Sequence, residues 1–222
     1  MDLLLFGMQG SGKGTQGKFL VERYGLVNFV TGDELRRLAQ EPSPLGQKIK
    51  SIIEAGHLVS NEVVMEIIEN FMKNLPAGKS ILFDGIPRNG EQAKSFNDLM
   101  KRLNRHFLGV LIEISEDTAL RRLSTRRLCK QCKTVYPAAY DKGTCQASLE
   151  NGKMCGGELV IRTDDANRDS IKNRLTAYRD ETLPIIQQYE AESKIIRING
   201  EQSIDEVNED TCAKLDPLLL KK

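Results

Sequence analysis

The sequence predicts an α/β fold built on a parallel sheet, and three observations lead there. Five short apolar runs of strand length alternate with stretches of helical periodicity. A glycine-rich loop joins the first run to the first helical stretch. One segment, from about Leu128 to Ile161, breaks the alternation with glycines, cysteines and short β-prone stretches. That segment is expected to be a small inserted subdomain. A chain of 222 residues accommodates one domain with such insertions.

The elements follow in order. Asp2-Leu-Leu-Leu-Phe6 reads as a buried parallel strand. Phe19, Leu20 and Tyr24 have helical spacing, ended by Gly25. Leu26 to Val30 is the second strand, and Thr31-Gly32-Asp33 opens a helix with Thr31 as its expected N-cap. Pro42 and Pro44 break that helix. Leu45 to Ala55 is the next, ended by Gly56. Ser60-Asn61-Glu62 is expected to cap the run Val63, Val64, Ile67, Ile68, Phe71. Ser80 to Asp84, Gly109 to Ile114 and Lys194 to Ile198 complete the five strands. Ser170 to Glu192 and Asp205 to Leu215 are read as helices.

Composition narrows the function. Lys and Arg number 32 against 31 Asp and Glu, so nothing draws the whole chain toward nucleic acid, and any anion site must be local. No apolar run approaches the roughly 20 residues that a spanning helix needs. There is no basic start followed by a long apolar stretch, so no signal peptide is expected and the default location is cytoplasmic.

Four of the five cysteines fall between Cys129 and Cys155, a clustering typical of metal or redox chemistry in a cytosolic chain. Cys129-x-x-Cys132 is one half of a metal knuckle. Cys145 and Cys155 are its natural partners, which gives the four-thiolate set that zinc favours, in a closed and therefore structural site. Asp141 or a water in place of one of the last two ligands stays open, as do four reduced thiols without metal. Cys212, alone in the last helix, is expected simply to pack.

The loop Gly7-Met8-Gln9-Gly10-Ser11-Gly12-Lys13-Gly14-Thr15 lies between strand and helix, where a phosphate-binding loop belongs. Its glycines let backbone N–H groups turn inward, and the helix N-terminus adds a positive dipole end. Lys13 is placed to reach terminal phosphates of a nucleoside triphosphate. The generic G-x-x-x-x-G-K-[ST] pattern fits except that Gly14 takes the hydroxyl position and Thr15 follows it. The plainer alternative, a glycine turn with a solvated lysine, ignores the flanking strand and helix.

That departure matters, because G-x-x-G-x-G-K-G-T-Q resembles the signature of nucleoside monophosphate kinases, in particular the adenylate kinase family in its long form with a metal-binding lid. Thr31-Gly32-Asp33-Glu34-Leu35-Arg36 is similar to the family's T-G-D-x-L-R. Asp84-Gly85-Ile86-Pro87-Arg88 with Gln92 is similar to D-G-[FY]-P-R…Q, and Arg162-Thr163-Asp164-Asp165 to R-x-D-D. The resemblance covers nearly the whole chain. It implies a P-loop NTPase fold with a five-stranded parallel sheet flanked by helices. The core would comprise residues 1–30, 60–126 and 163–222, a small helical AMP-binding flap 31–59 and a β-rich zinc-binding lid 127–162.

The resemblance also implies reversible, Mg2+-dependent transfer between ATP and AMP to give two ADP, with lid closure, in a cytoplasmic monomer that engages neither nucleic acid nor membrane. Gly10 to Thr15, Lys13 foremost, would hold the ATP phosphates. Arg122 would lie against the ATP adenine and Arg126 on its phosphates. Val135-Tyr136 would be the lid segment touching ATP, and Arg197 a basic position near its base. Thr31, Gly32, Arg36, the His57-Leu58-Val59 stretch, Gly85, Ile86, Pro87, Arg88 and Gln92 would take AMP. Arg36 and Arg88 would hold its phosphate and Gln92 would pair bidentately with adenine. Asp84 would order magnesium, usually through water. Arg162 and Arg174 would lie on the phosphates of the reacting pair.

Departures from the family pattern are local. Met8 and Gln9 replace prolines or small residues, and Ile86 replaces an aromatic. Cys145 and Cys155 are spread apart where the family has C-x-x-C. The stretch from Asp165 to Arg174 is one residue longer than usual, with Arg168-Asp169 where two acids are usual. Two rivals remain at this level. One is a kinase of other base specificity, with GTP as donor or UMP or CMP as acceptor. The other is a nucleic-acid module on a zinc ribbon, against which stand the near-zero charge and the lack of interleaved aromatics.

Overall fold

In the computed structural model the run Asp2–Phe6 forms β1, buried along its whole length. Side chains alternate across a strand. Leu3 and Leu5 therefore enter one hydrophobic cluster, while Leu4 and Phe6 enter another on the opposite face of the sheet. Double burial explains why the run is apolar without alternation. Each fully buried leucine contributes about 2 kcal/mol. The structure describes all residues except 56, 138, 139, 150, 151, 163, 164, 166, 221 and 222. The helix end expected at Gly56 and the first acid of the R-x-D-D segment, Asp164, therefore lie outside the described residues.

β1 is central. With β2 (Val27–Val30), β3 (Ile81–Asp84), β4 (Phe107–Glu113) and β8 (Ile195–Asn199) it makes a parallel sheet in the order β2-β3-β1-β4-β8. Helices α1 (Lys13–Tyr24) and α9 (Ile204–Leu219) cover the Leu3/Leu5 face through Leu20, Val207 and Leu215. Helices α4 (Asn61–Lys73), α5 (Gly90–Arg102) and α8 (Leu183–Ala191) cover the other, where Phe29, Phe83, Phe96, Phe107 and Tyr189 pack ring against ring. The chain winds from β1 toward β2 on one side and from β3 toward β4 on the other. That reversal opens a crevice beyond the carboxyl ends of β1 and β3, where ligands of open α/β sheets bind.

Two helical excursions and one β lobe surround the crevice. Helices α2 (Thr31–Leu38) and α3 (Pro44–Glu54) follow β2. Pro44 sits in the first turn of α3, and Ser43 Oγ caps it by accepting from Gly46 N at 3.0 Å. Helix α6 (Glu116–Thr125) packs on α7 (Arg168–Ala177) through Ala119, Leu123, Ile171 and Leu175. Between α6 and α7 lies a three-stranded antiparallel sheet of β5 (Arg127–Cys129), β6 (Val135–Tyr136) and β7 (Leu159–Ile161), in the order β6-β5-β7.

The observed elements differ from the expected ones in a few places. The stretch expected as a single helix over 170–192 is α7, a π-helical turn Tyr178–Thr182, and α8. Helices α5 and α6 were not among the expected elements. Val30, not Thr31, is the N-cap of α2, and Ser60 precedes α4 without accepting a capping hydrogen bond. The final helix runs on to Leu219, with Pro217 inside it. Among the described residues no helix is long and apolar enough to cross a membrane.

Candidate active site

The glycine-rich loop leaves β1 at Gly7. A Cβ there would lie 2.5 Å from the Ile112 carbonyl oxygen, so only glycine lets the chain turn this close to β4. Gly12, at φ 97°, caps α1, and Thr15 N and Gln16 N donate to its carbonyl at 2.9 and 3.0 Å. Lys13 folds back over the loop, donating from Nζ to the carbonyls of Gly7 at 2.6 Å and Met8 at 3.0 Å. Burial lowers its amine from 10.5 to about 8, opposed by Asp84 and assisted by Arg88, Arg126 and Arg174. Asp84, at the end of β3, is half-buried. Burial pushes its carboxyl up while Lys13 and Arg88 pull it down.

Beside this pair opens a cavity that gathers residues from four segments. Thr31, Gly32 and Arg36 line it from α2, and His57, Leu58 and Val59 from the loop after α3. Gly85, Arg88 and Gln92 come from the turn after β3 and the start of α5, and Arg162 and Arg174 from the far side. Four guanidinium groups thus converge on one hollow next to the phosphate loop. Arg88 is half-buried, desolvation lowers its pKa, and it is fixed at three points. Its Nε donates to Gly85 O at 2.9 Å, its backbone N to Gln92 Oε1 at 2.8 Å, and its carbonyl accepts from Thr182 Oγ1 at 2.7 Å. Arg36 is paired with Asp33 at 2.5 Å.

Asp165 organises the lid side. Its carboxylate, wholly buried, accepts from Arg126 Nε at 2.7 Å on one oxygen and from Arg174 Nη1 at 2.8 Å on the other. The extra residue before Arg174 therefore does not take that arginine out of the cleft. Arg122 spans the loop and the last strand, donating to Gly10 O at 3.4 Å and Gly200 O at 3.0 Å.

Several expected positions sit differently. Arg197 is exposed and bound by Glu190 and Glu113 at 2.5 to 2.7 Å. Tyr136 is buried with its ring turned into the cysteine lobe, and Val135 is the exposed member of the pair. Gln92 has its carbonyl committed to Arg88, so a bidentate pairing with a base requires that bond to open. Ile86 is buried, joined to Pro87 by a cis bond. Residues not anticipated also reach the cavity, among them the polar side chains of Gln9, Tyr178 and Thr182. The last two belong to the π-helical turn, whose register no helical periodicity reveals. The signal for Gln9 was its unusual side chain in a loop of small residues.

The lobe holds four sulfurs. Cys129, Cys132, Cys145 and Cys155 place them all within 4.8 Å of one another, and Asp141 is not in the group. Cys132 and Cys145 lie 3.4 Å apart and Cys129 and Cys155 3.7 Å. Disulfide bonds are far shorter, about 2 Å. A tetrahedron of zinc–sulfur bonds of about 2.3 Å has edges of about 3.8 Å, which these separations approach. A Cβ on Gly157 would lie 2.7 Å from Cys129 Sγ, so a glycine is needed beside the cluster. The long spacer between Cys145 and Cys155 leaves as a hairpin. Cys155 N donates to Ala147 O and Gly156 N to Cys145 O, so both sulfurs return to one place.

Comparison with known proteins agrees with this geometry. A family model described as adenylate kinase matches residues 5–194. An adenylate kinase of Methanocella arvoryzae is 35% identical over 219 residues, 98% of this chain and 100% of the relative. Adenylate kinases of Novosphingobium aromaticivorans and Desulfitobacterium hafniense are 34% and 36% identical. They cover 93% and 95% of this chain, and 95% of each relative is covered.

Proposed function

The chain belongs to the adenylate kinase family, and from that premise we propose how its own residues carry the reaction. The enzyme transfers the γ-phosphoryl of ATP reversibly to AMP, yielding two ADP. Adenylate kinases use Mg2+ with ATP, and when bound the ion would supply positive charge against the phosphates. Asp84, a half-buried oxygen donor electrostatically coupled to Lys13, is the residue we assign to it.

The observation that carries the assignment of roles is the convergence of Arg36, Arg88, Arg162 and Arg174 on one hollow beside Lys13. An oxygen of the acceptor phosphate attacks the γ-phosphorus. The bond from that phosphorus to the bridging oxygen breaks, and its electron pair stays on the departing ADP. Lys13 and the amides of Gly10, Ser11, Gly12, Gly14 and Thr15 hold the donor phosphates. Arg88 and Arg36 hold the acceptor phosphate. Arg126, Arg162 and Arg174 neutralise the group in transit, with the aim of Arg126 and Arg174 set by Asp165. Positioning and charge supply the rate, and no general base is required. Arg122 and Val135 flank the donor base. Thr31, His57, Leu58 and Val59 flank the acceptor adenosine.

In this reading residues 1–30, 60–126 and 163–222 are the core, 31–59 the acceptor flap and 127–162 the lid, which closes to exclude water. The four cysteines suit Zn2+, which when bound cross-links the lid and does no chemistry. The protein acts as a cytoplasmic monomer on small molecules alone. A coupled assay over a panel of nucleotides tests the assignment: ATP with AMP should turn over fastest. Faster turnover of UMP, CMP or GMP than AMP overturns the acceptor reading.

A further inference from the structure

Resting on the acceptor reading just given, we propose that Gln9 is a substrate-contacting residue whose carboxamide hydrogen-bonds the phosphate of the acceptor nucleotide and sets its affinity.

By chain, Gln9 belongs to the donor loop, next to Met8 and close to Gly7, whose carbonyls hold Lys13. By side chain, it lines the acceptor cavity with Arg36, Arg88, Arg162 and Arg174. A group rooted in one site and opening onto the other stands on the boundary that the phosphoryl group crosses. Its Oε1 is buried and has no hydrogen-bond partner among the described residues. An unmet buried carbonyl destabilises a fold, so its placement among guanidinium groups marks a side chain with hydrogen-bonding capacity held in reserve. The terminal torsion of glutamine is broad and two-fold. A half-turn therefore exchanges the carbonyl for the NH2 group, which can donate to the oxygens of a phosphate seated among those arginines.

The test is Gln9→Met, close in shape and without hydrogen-bonding groups, compared with the wild-type enzyme by isothermal titration with AMP and with ATP and by thermal melting. AMP affinity should weaken about tenfold, as for loss of a hydrogen bond to a charged group. ATP affinity should stay within about twofold, and the melting temperature of the free protein should not fall. Unchanged AMP affinity overturns the proposal, as does parallel weakening of both nucleotides with a lower melting temperature. Should the variant not fold, the side-chain amide resonances of Gln9 in the wild-type protein decide: they shift on saturation with AMP, and if they stay in place the proposal fails. Absence of any ATP-to-AMP transfer by the wild-type enzyme would instead remove the acceptor reading, which separates the two failures.

Discussion

The phosphate cleft and the cysteine lobe are both assembled from polar side chains, yet they settle those side chains in opposite ways. In the cleft, like charges crowd together. Lys13 is half-buried, its pKa lowered first by desolvation and further by three arginines, and Ser11 Oγ, Thr31 Oγ1 and Gln9 Oε1 have no partner among the described residues. In the lobe, the sulfurs face one another, and Tyr136 OH lies 3.1 Å from Cys145 Sγ while accepting from Gln146 N at 3.0 Å. Among the described residues the lobe's buried cluster is Cys129, Tyr136 and Cys145, too few to hold it by burial alone. The difference teaches where each region finds its stability. The cleft borrows rigidity from the sheet and keeps its electrostatic demand for a polyanion. The lobe has little sheet beneath it and needs its own cross-link.

The largest effect that sharpens this contrast is Lys13→Met. Turnover in the coupled assay should fall by about a thousandfold or more, as for removal of a transition-state charge partner. The melting temperature should hold or rise, because a buried amine is removed. A variant with near-normal turnover would break the claim that the cleft is built for phosphate.

In the lobe the order of effects should reverse. A strong chelator, or Cys132→Ser, should destabilise the protein by about 3 kcal/mol, roughly a 10 °C drop in melting temperature for a chain of this size. AMP affinity of the folded protein, measured by titration, should change by less than about threefold. If the purified protein contains no stoichiometric metal, or the chelator leaves the melt unmoved, the cross-link idea fails.

The smallest effect is a proton. Lys13 titrates near 8 in the fold against 10.5 ordinarily. Between those values the unfolded chain holds more protons, so this group's contribution to stability rises with pH through that window. Below 8 the buried amine is charged and its cost is present in full. Phosphates seated beside Lys13 favour the charged form and raise its pKa again. ATP binding at about pH 8.5 should therefore take up a fraction of a proton, read from titrations in buffers of different ionisation heat. No uptake, or equal uptake in Lys13→Met, contradicts the buried-amine account.

Much of this was legible in the residues. A double-buried strand declares itself as an unbroken apolar run, and the glycine loop declares its own strand and helix. The site was legible where backbone chemistry dictates residue type, at Gly7 to Thr15, Asp84 to Arg88 and the four cysteines. It was illegible where a side chain's direction decides. Arg197 is basic and on the last strand, but Glu190 from the preceding helix and Glu113 from a strand far away in sequence bind it, and no pattern of residue types announces that pairing. Thr31 has the composition of a cap, yet it is the first residue of α2 after the cap Val30 and lines the cleft. The π-helical turn that brings Thr182 to Arg88 adds a residue per turn that no 3.6-residue pattern announces.

The hairpin between Cys145 and Cys155 has one more consequence. Its two legs are pinned at the base by Cys145 N to Gly157 O, Gly156 N to Cys145 O and Cys155 N to Ala147 O, all at 2.8 to 2.9 Å. A loop cinched at its neck can vary in girth without disturbing what lies beneath the knot. This makes it a natural port for grafting: a peptide tag or fluorophore-bearing insert spliced there should ride on the enzyme as cargo.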